Sequence, residues 1–384
     1  MNPDAAGFGL YVHWPFCLSK CPYCDFNSHV HDSINVEDWK NGYLAALKWF
    51  AAQTGRREIS SVFFGGGTPS LMPPALVADI LDTAGQLWSM AADVEITLEA
   101  NPTSAEAGKF RDFAAAGVNR LSLGIQALND ADLGALGRQH TAREAIKAWQ
   151  IAHAIFPRAS FDLIYARPGQ TRKAWEKELR QALSLGARHI SAYQLTMEPE
   201  TPFHKRYEAG KLHLPDEETA TAMYEQTRAV MAGAGLELYE ISNFSAPGAQ
   251  CRHNLLYWRY GEYAGIGPGA HSRLIAKSGQ RRAISAIRAP ARWLAKARQG
   301  GIGEDVPLSP QEAASEYLLM SLRMTEGMNL TRHAALGGAP LLPAAMDELV
   351  AQGLLHRPKA SRIAVTNAGR LVLDHVVSRL CEGS

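Results

Sequence analysis

The sequence predicts an α/β protein: a partial (β/α)6 barrel of the TIM type over residues 1–300, then a small helical, winged-helix-like domain over residues 301–384. Three observations carry this. Short β-branched or apolar runs alternate with longer stretches of helical periodicity as far as Gln194, the pattern of βα units and a parallel sheet. Residues able to do chemistry recur just after those runs, where the C-terminal ends of barrel strands face a site. Beyond His271 the alternation stops, and Pro307-Leu308-Ser309-Pro310 reads as a linker.

Taken in order, strands are expected at residues 9–13, 61–64, 94–99, 120–125, 160–164 and 189–194. Helices are expected between them. Residues 38–53 carry Tyr43, Leu44, Leu47 and Phe50 at helical spacing, and residues 73–88 open with prolines suited to a first turn. In the small domain, helical runs at 311–324, 342–352 and 367–380 surround a hairpin of residues 354–356 with 362–365. That order suits a winged helix, but acidic residues there match the basic ones in number, so a packing or lid role is expected rather than nucleic-acid binding.

Composition narrows the class further. At 46% hydrophobic and 20% charged residues the chain is of ordinary globular make-up, and no run approaches the roughly 18 apolar residues of a membrane span. A formal net charge of +1 argues against a nucleic-acid partner. The first residues lack a basic stretch followed by an apolar core, so no secretory leader, reduced thiols and a cytoplasmic location are expected. Residues 263–303 carry Arg273, Lys277, Arg281, Arg282, Arg288, Arg292, Lys296 and Arg298 without one acidic residue. These read as a solvated helix face.

Three of the five cysteines, Cys17, Cys21 and Cys24, form a C-x3-C-x2-C run. The spacing points to a cubane [4Fe–4S] cluster whose fourth iron lacks a protein ligand and so takes an external one. Zinc held with His13, His29 or His31 is the alternative, although zinc sites usually pair their ligands as two separated units. At successive strand ends follow the loop Gly65-Gly66-Gly67-Thr68, then Glu99, Gln126 and Asp162. Glycines let backbone approach a neighbour closely, and carboxylates and an amide on one rim suit a polar ligand.

With Tyr23 and Phe26 around the third cysteine and the glycine loop, this pattern resembles the radical S-adenosylmethionine (SAM) superfamily. The resemblance implies a [4Fe–4S] cluster on Cys17, Cys21 and Cys24, its open iron chelated by the methionine moiety of SAM. It also assigns roles. Gly65 and Gly66, in the loop with Gly67 and Thr68, would meet the methionine amino group through the backbone, and Glu99 would pair with it. Arg138 would hold the carboxylate, while Gln126 and Asp162 would contact the ribose. A zwitterion wants one anion, one cation and neutral donors.

Within the superfamily the chain resembles, nearly end to end, the group that contains oxygen-independent coproporphyrinogen III dehydrogenases and the HemW haem chaperones. The dehydrogenases, which decarboxylate two propionates to vinyls, carry a fourth cysteine two residues after the third. Here Phe26 stands there. HemW-like chains carry H-N-x-x-Y-W, matched in full by His253-Asn254-Leu255-Leu256-Tyr257-Trp258. The resemblance therefore implies haem as cargo on His253, Tyr257 and Trp258, and recipient haem proteins, those of the respiratory chain among them. Imidazole is a common axial ligand and aromatic rings pack on a flat macrocycle. His271 is a second candidate ligand, Cys251 reads as a packed thiol, and Arg281, Arg282 or Arg288 could pair with propionates. Arg167 stands in Tyr165-Ala166-Arg167-Pro168-Gly169 where relatives usually show Gly-Leu at the second and third positions.

Overall fold

The structure, a computed structural model, describes residues 6–31 and 34–381. Residues 1–5, on which the expectation of no leader partly rests, lie outside it. All six expected strands are present: β1 (Phe8–Trp14), β2 (Glu58–Gly66), β3 (Ser89–Ala100), β4 (Arg120–Gln126), β5 (Arg158–Tyr165) and β6 (His189–Gln194). They pair in that order, all parallel. Burial explains why they read so clearly. In β1, Leu10, Val12 and Trp14 are fully buried and Phe8 nearly so, as strands covered on both faces must be.

The sheet extends past these six. At its far edge β7 (Glu237–Leu238) and β8 (Asn243–Ser245) add antiparallel to β6. On the other side β9 (Glu262–Ile266) pairs parallel with β1, followed antiparallel by β10 (His271–Ile275), β11 (Arg281–Ala286) and β12 (Ile302–Pro307). The twelve strands run β12-β11-β10-β9-β1-β2-β3-β4-β5-β6-β8-β7 without closing, so the barrel is partial.

The basic segment is therefore divided: Arg273, Arg281 and Arg282 lie on strands, whereas Arg292 and Lys296 are exposed on the helix Pro290–Lys296, where the expected solvated face is found. The three strand arginines find partners elsewhere in the chain. Arg282 pairs with Asp305 at 2.5 Å, and Arg273 makes a two-pronged pair with Glu316 at 2.7 and 2.9 Å. Arg281 is buried, its guanidinium 4.1 Å above the Tyr260 ring.

β12 belongs to the large sheet, and the second core gathers mainly after Pro307, with Tyr260 joining it from the first part of the chain. There Leu318, Leu322, Met328, Leu349, Ile363 and Val376 close around a three-stranded sheet of Met328–Asn329, Arg362–Val365 and Leu355–Lys359. The expected helix at 367–380 is broken into Asn367–Leu371 and Leu373–Cys381, with Val372 leaving helical geometry at φ −126°, ψ 37°. Gly369 sits against the Leu354 carbonyl, which fixes the short piece and forces the second to swing so that Leu373, Val376 and Leu380 reach the core. No helix among the described residues is long and apolar enough to cross a membrane.

An aromatic cluster fixes where β1 ends. Trp14 packs edge-on against Phe16 at 5.2 Å, Phe16 against Trp39 at 5.0 Å, and Trp39 stacks on Trp293 at 5.7 Å. Tyr43 donates to the His13 carbonyl at 2.7 Å. Beside it the glycine loop leaves β2, and its register with β1 places Gly65 opposite His13 and Gly66 opposite Trp14. Gly66 has φ +112°, and a Cβ there would lie 2.7 Å from the His13 ring. That ring cannot yield, because both its nitrogens are engaged, by the Tyr11 hydroxyl at 3.1 Å and the Asn27 carbonyl at 2.9 Å.

Gly66→Ala should therefore destabilise the protein by about 1–3 kcal/mol, read as a lower urea midpoint. Gly85→Ala is the control. It is an exposed helical glycine whose Cβ would meet only Met90 at 3.9 Å, so it should be neutral or stabilising by up to about 1 kcal/mol.

Candidate functional site

Cys17, Cys21 and Cys24 line one cavity of about 340 Å³ with Gly66, Gly67, Thr68, Glu99, Gln126, Arg138 and Asp162. The first five strands and the loops after them deliver all but Arg138, which follows the short helix Asp130–Ala135. Gly65 is not among them. It packs behind the loop against Tyr11 and Phe63, so its lack of a side chain serves the protein's own packing and it lines neither this cavity nor the next.

Hydrogen bonds tie two sulfurs into the rim. Thr68 Oγ1 donates to Cys17 Sγ at 3.3 Å and accepts from Asn101 Nδ2 at 3.3 Å. Asn101 Oδ1 accepts from Arg138 Nη2 at 2.6 Å, and Arg138 Nη1 donates to Cys21 Sγ at 3.3 Å. Asn101 thus links two cysteine partners, a role that an amide before a proline did not announce. Burial pushes the Cys17 and Cys24 thiols up, so loading with metal must expel their protons.

The donor set fits a cluster better than zinc. His13 is locked as described, His29 faces Asn27 Oδ1 at 3.3 Å, and His31 lies edge-on to Phe16. Among the described residues no three metal-binding side chains converge as a single tetrahedral ion requires. Among the described residues Arg138 Nε is buried without a hydrogen-bond partner.

Electrostatics sharpen the picture of a vacant-charge site. Burial, with Asp162 nearby, raises the Glu99 carboxyl to about 8, against the pull of the Gly66 N–H. Asp162 is raised to about 6, again by burial, although Ser191, Ser122, Arg120 and Arg138 favour its anion. At pH 7 Glu99 therefore holds its proton until a cation arrives, whereas Asp162 is mostly ionised. Gln126 stands at φ +71°, a strained backbone for its residue type. Its carbonyl accepts from Arg167 Nη1 at 3.3 Å. Arg167 itself is buried, paired with Asp132 at 2.7 Å and Glu178 at 2.5 Å, and lines neither cavity. It shapes the loop.

A second cavity, of about 600 Å³, adjoins the first, and Phe26, Gly66, Glu99 and Tyr193 line both. Its other walls include Tyr11, Phe63, His253, Tyr257, Trp258, Tyr263 and His271. The helix Arg252–Trp258 brings three of these, and a buried carboxylate holds its start: Glu95 Oε1 accepts from the Arg252 and His253 N–H groups at 2.7 and 3.3 Å. Arg158 balances Glu95 at 2.9 Å.

The His253 ring stacks on Phe63 at 5.1 Å, and its Nδ1 meets Ser61 Oγ at 3.0 Å. Burial lowers it to about 4, so the imidazole is neutral at pH 7 and Nε2, without a hydrogen bond among the described residues, can offer a lone pair. Cys251 does not reach the cavity; burial and Glu95 push its thiol up to about 12. Nor do the arginines expected near propionates: Arg281, Arg282 and Arg288 all lie outside its lining.

Comparison with known proteins agrees with this geometry. The profile of the radical SAM superfamily matches residues 11–182, and that of the HemN C-terminal domain matches residues 308–372. Heme chaperone HemW of Escherichia coli (strain K12) is 36% identical over 372 residues, covering 96% of each chain. The Bacillus subtilis (strain 168) protein of the same name is 34% identical, over 95% of this chain and 97% of its own. A Bos taurus relative, Radical S-adenosyl methionine domain-containing protein 1, mitochondrial, is 40% identical over 85% of this chain and 75% of its own. Among solved structures, coproporphyrinogen III oxidase (HemN) of Escherichia coli superposes with a TM-score of 0.81 at 20% identity, over 98% of this chain and 90% of that one, a likeness of fold. The chain belongs to the radical SAM superfamily and, within it, to the HemW family.

Proposed function

We propose that this protein is a haem chaperone, which binds haem in the larger cavity and hands it to haem proteins. The observation that carries the reading is a neutral, anchored imidazole, His253, in an aromatic-walled cavity that shares a wall with the cysteine site. A cavity of about 600 Å³ lies within the range of small-molecule sites. Relatives of nearly full length that bear the name heme chaperone HemW support it. His253 would ligate iron, with Tyr257 and Trp258 packing on the macrocycle and His271 as a second candidate ligand. Recipients in this reading include respiratory haem proteins, met transiently at the membrane by a protein working in the cytoplasm.

The smaller cavity would hold the cluster on Cys17, Cys21 and Cys24 with SAM beside it. When bound, the pair supplies reductive cleavage of a carbon–sulfur bond. For the chain's own part, Glu99 would take the methionine ammonium beside Gly66 and Gly67, Arg138 would use Nε for the carboxylate, and Gln126 with Asp162 would hold the ribose. Thr68 would act through Cys17 rather than on the ligand. Phe26, where the dehydrogenases carry cysteine, forms part of the wall between the cavities.

Haem titration of cluster-loaded protein tests the reading. Wild type should show saturable binding with a shifted Soret band, and His253→Ala should weaken it at least as much as the roughly 10–100-fold that loss of a metal ligand's supporting partner costs. Equal behaviour of the two, or no binding, overturns it.

SAM binding should also depend on pH through Glu99. Its carboxyl, raised to about 8, is mostly protonated at pH 6 and must release that proton to pair with an ammonium. Affinity should thus rise between about pH 6 and 8, by up to about tenfold per unit for this group, and level off above 8 once the carboxyl is ionised. Isothermal titration across that range should show the slope in wild type and its loss in Glu99→Gln.

A further inference from the structure

We propose that Arg323, supplied by the C-terminal domain, is the carboxylate-binding residue of the aromatic cavity and pairs with a propionate of the bound haem. The inference rests on the haem reading of that cavity and extends it to a residue outside every motif of the sequence.

Among the described residues Arg323 is the one arginine or lysine in the lining of the larger cavity. Its guanidinium carbon lies 5.8 Å from the Trp258 ring centroid, on the aromatic pair that would cover the macrocycle. Its neighbours at the domain junction are already spent on carboxylates: Arg259 grips Glu326 at 2.7 and 2.8 Å, and Arg273 grips Glu316. Arg323 has no carboxylate among the described residues. One nitrogen, Nη1, donates to the Leu319 carbonyl at 2.7 Å, which steadies the side chain and leaves Nη2 and Nε without a partner among them.

The backbone beneath it is braced. Arg370, itself buried, donates to the Arg323 carbonyl at 3.0 Å, and the Arg259–Glu326 pair pins the chain three residues on. A guanidinium held this way costs little to order when a carboxylate arrives.

Haem presents an apolar disc and two carboxylates on one edge. Aromatic walls satisfy the disc, but burying a carboxylate beside them without a cation is unfavourable. The other titratable groups of the lining supply no cation: Glu99 and Glu240 are carboxyls whose charged form burial disfavours, and burial likewise disfavours the charged form of His13, His253 and His271. Arg323 is the group left to do it. The cargo site would then span both domains, and the small domain would contribute a binding group rather than act as a passive cap.

Titration of wild type, Arg323→Ala and Arg323→Lys with iron protoporphyrin IX and with its dimethyl ester, in the same detergent, tests this. Wild type should prefer the diacid. Arg323→Ala should lose roughly 10–100-fold in affinity for the diacid, the equivalent of a hydrogen-bonded charge worth about 1.5–3 kcal/mol, while binding the ester as wild type does. Arg323→Lys should recover part of the loss, since it keeps the charge but not the fork. Undiminished haem binding by Arg323→Ala overturns the inference, and so does equal weakening for diacid and ester, which marks a packing role. If wild type binds neither compound, the haem reading falls and the inference falls with it.

Discussion

The site depends on one piece of close packing, the glycine loop pressed against the end of the first strand. Gly67 N–H donates to the Trp14 carbonyl at 2.7 Å and Thr68 N–H to the Phe16 carbonyl at 2.9 Å, so the loop continues the β1–β2 ladder beyond the sheet. A Cβ on Gly67 would lie 2.8 Å from the Phe16 oxygen. Only because that approach is allowed can Thr68 reach Cys17, and from Thr68 the bonds run through Asn101 and Arg138 to Cys21. The cysteine loop has almost no regular structure of its own, beyond the two-residue pairing of Phe16–Cys17 with His29–Val30. Its geometry is borrowed from β1, the loop and the aromatic cluster under Trp14.

This explains which parts were legible in the sequence. Strands buried on both faces announce themselves, and β1 to β6 lay where apolar runs put them. The strands within 271–307 did not, because Arg273 and Arg282 are paired with Glu316 and Asp305 and Arg281 lies over Tyr260, partners that local periodicity cannot see. Rim residues were readable as types, since carboxylates and an amide after strands are unusual enough to notice. Their division of labour was not. Gly65 and Gly66 look alike in sequence, yet one packs inward and the other lines both cavities. Asn101 and Arg323 carry no motif, because their importance comes from what the fold sets beside them.

Buried charge does a second kind of positioning. Glu95 gathers Arg158 and the first N–H groups of the helix bearing His253, so that helix starts on a fixed anion inside the barrel. Arg167, with Glu178 and Asp132, does the same for the loops around Gln126, and Glu178 also accepts from the Leu128 N–H at 2.6 Å. A buried pair of this kind contributes little net stability, but leaving one member alone is costly, so the loops it joins are held in register. Gln126 keeps its left-handed backbone for this reason. Departure from the Gly-Leu of relatives at 166–167 thus supplies a brace.

Cys251 adds a consequence for wear and repair. Its thiol, enclosed beside Glu95 and raised to about 12, stays protonated at any cellular pH, so it neither captures iron nor exchanges with disulfides. An oxygen attack that strips the cluster would leave its three half-buried cysteines to be reduced and refilled, while the sulfur next to the imidazole-bearing helix passes through unchanged.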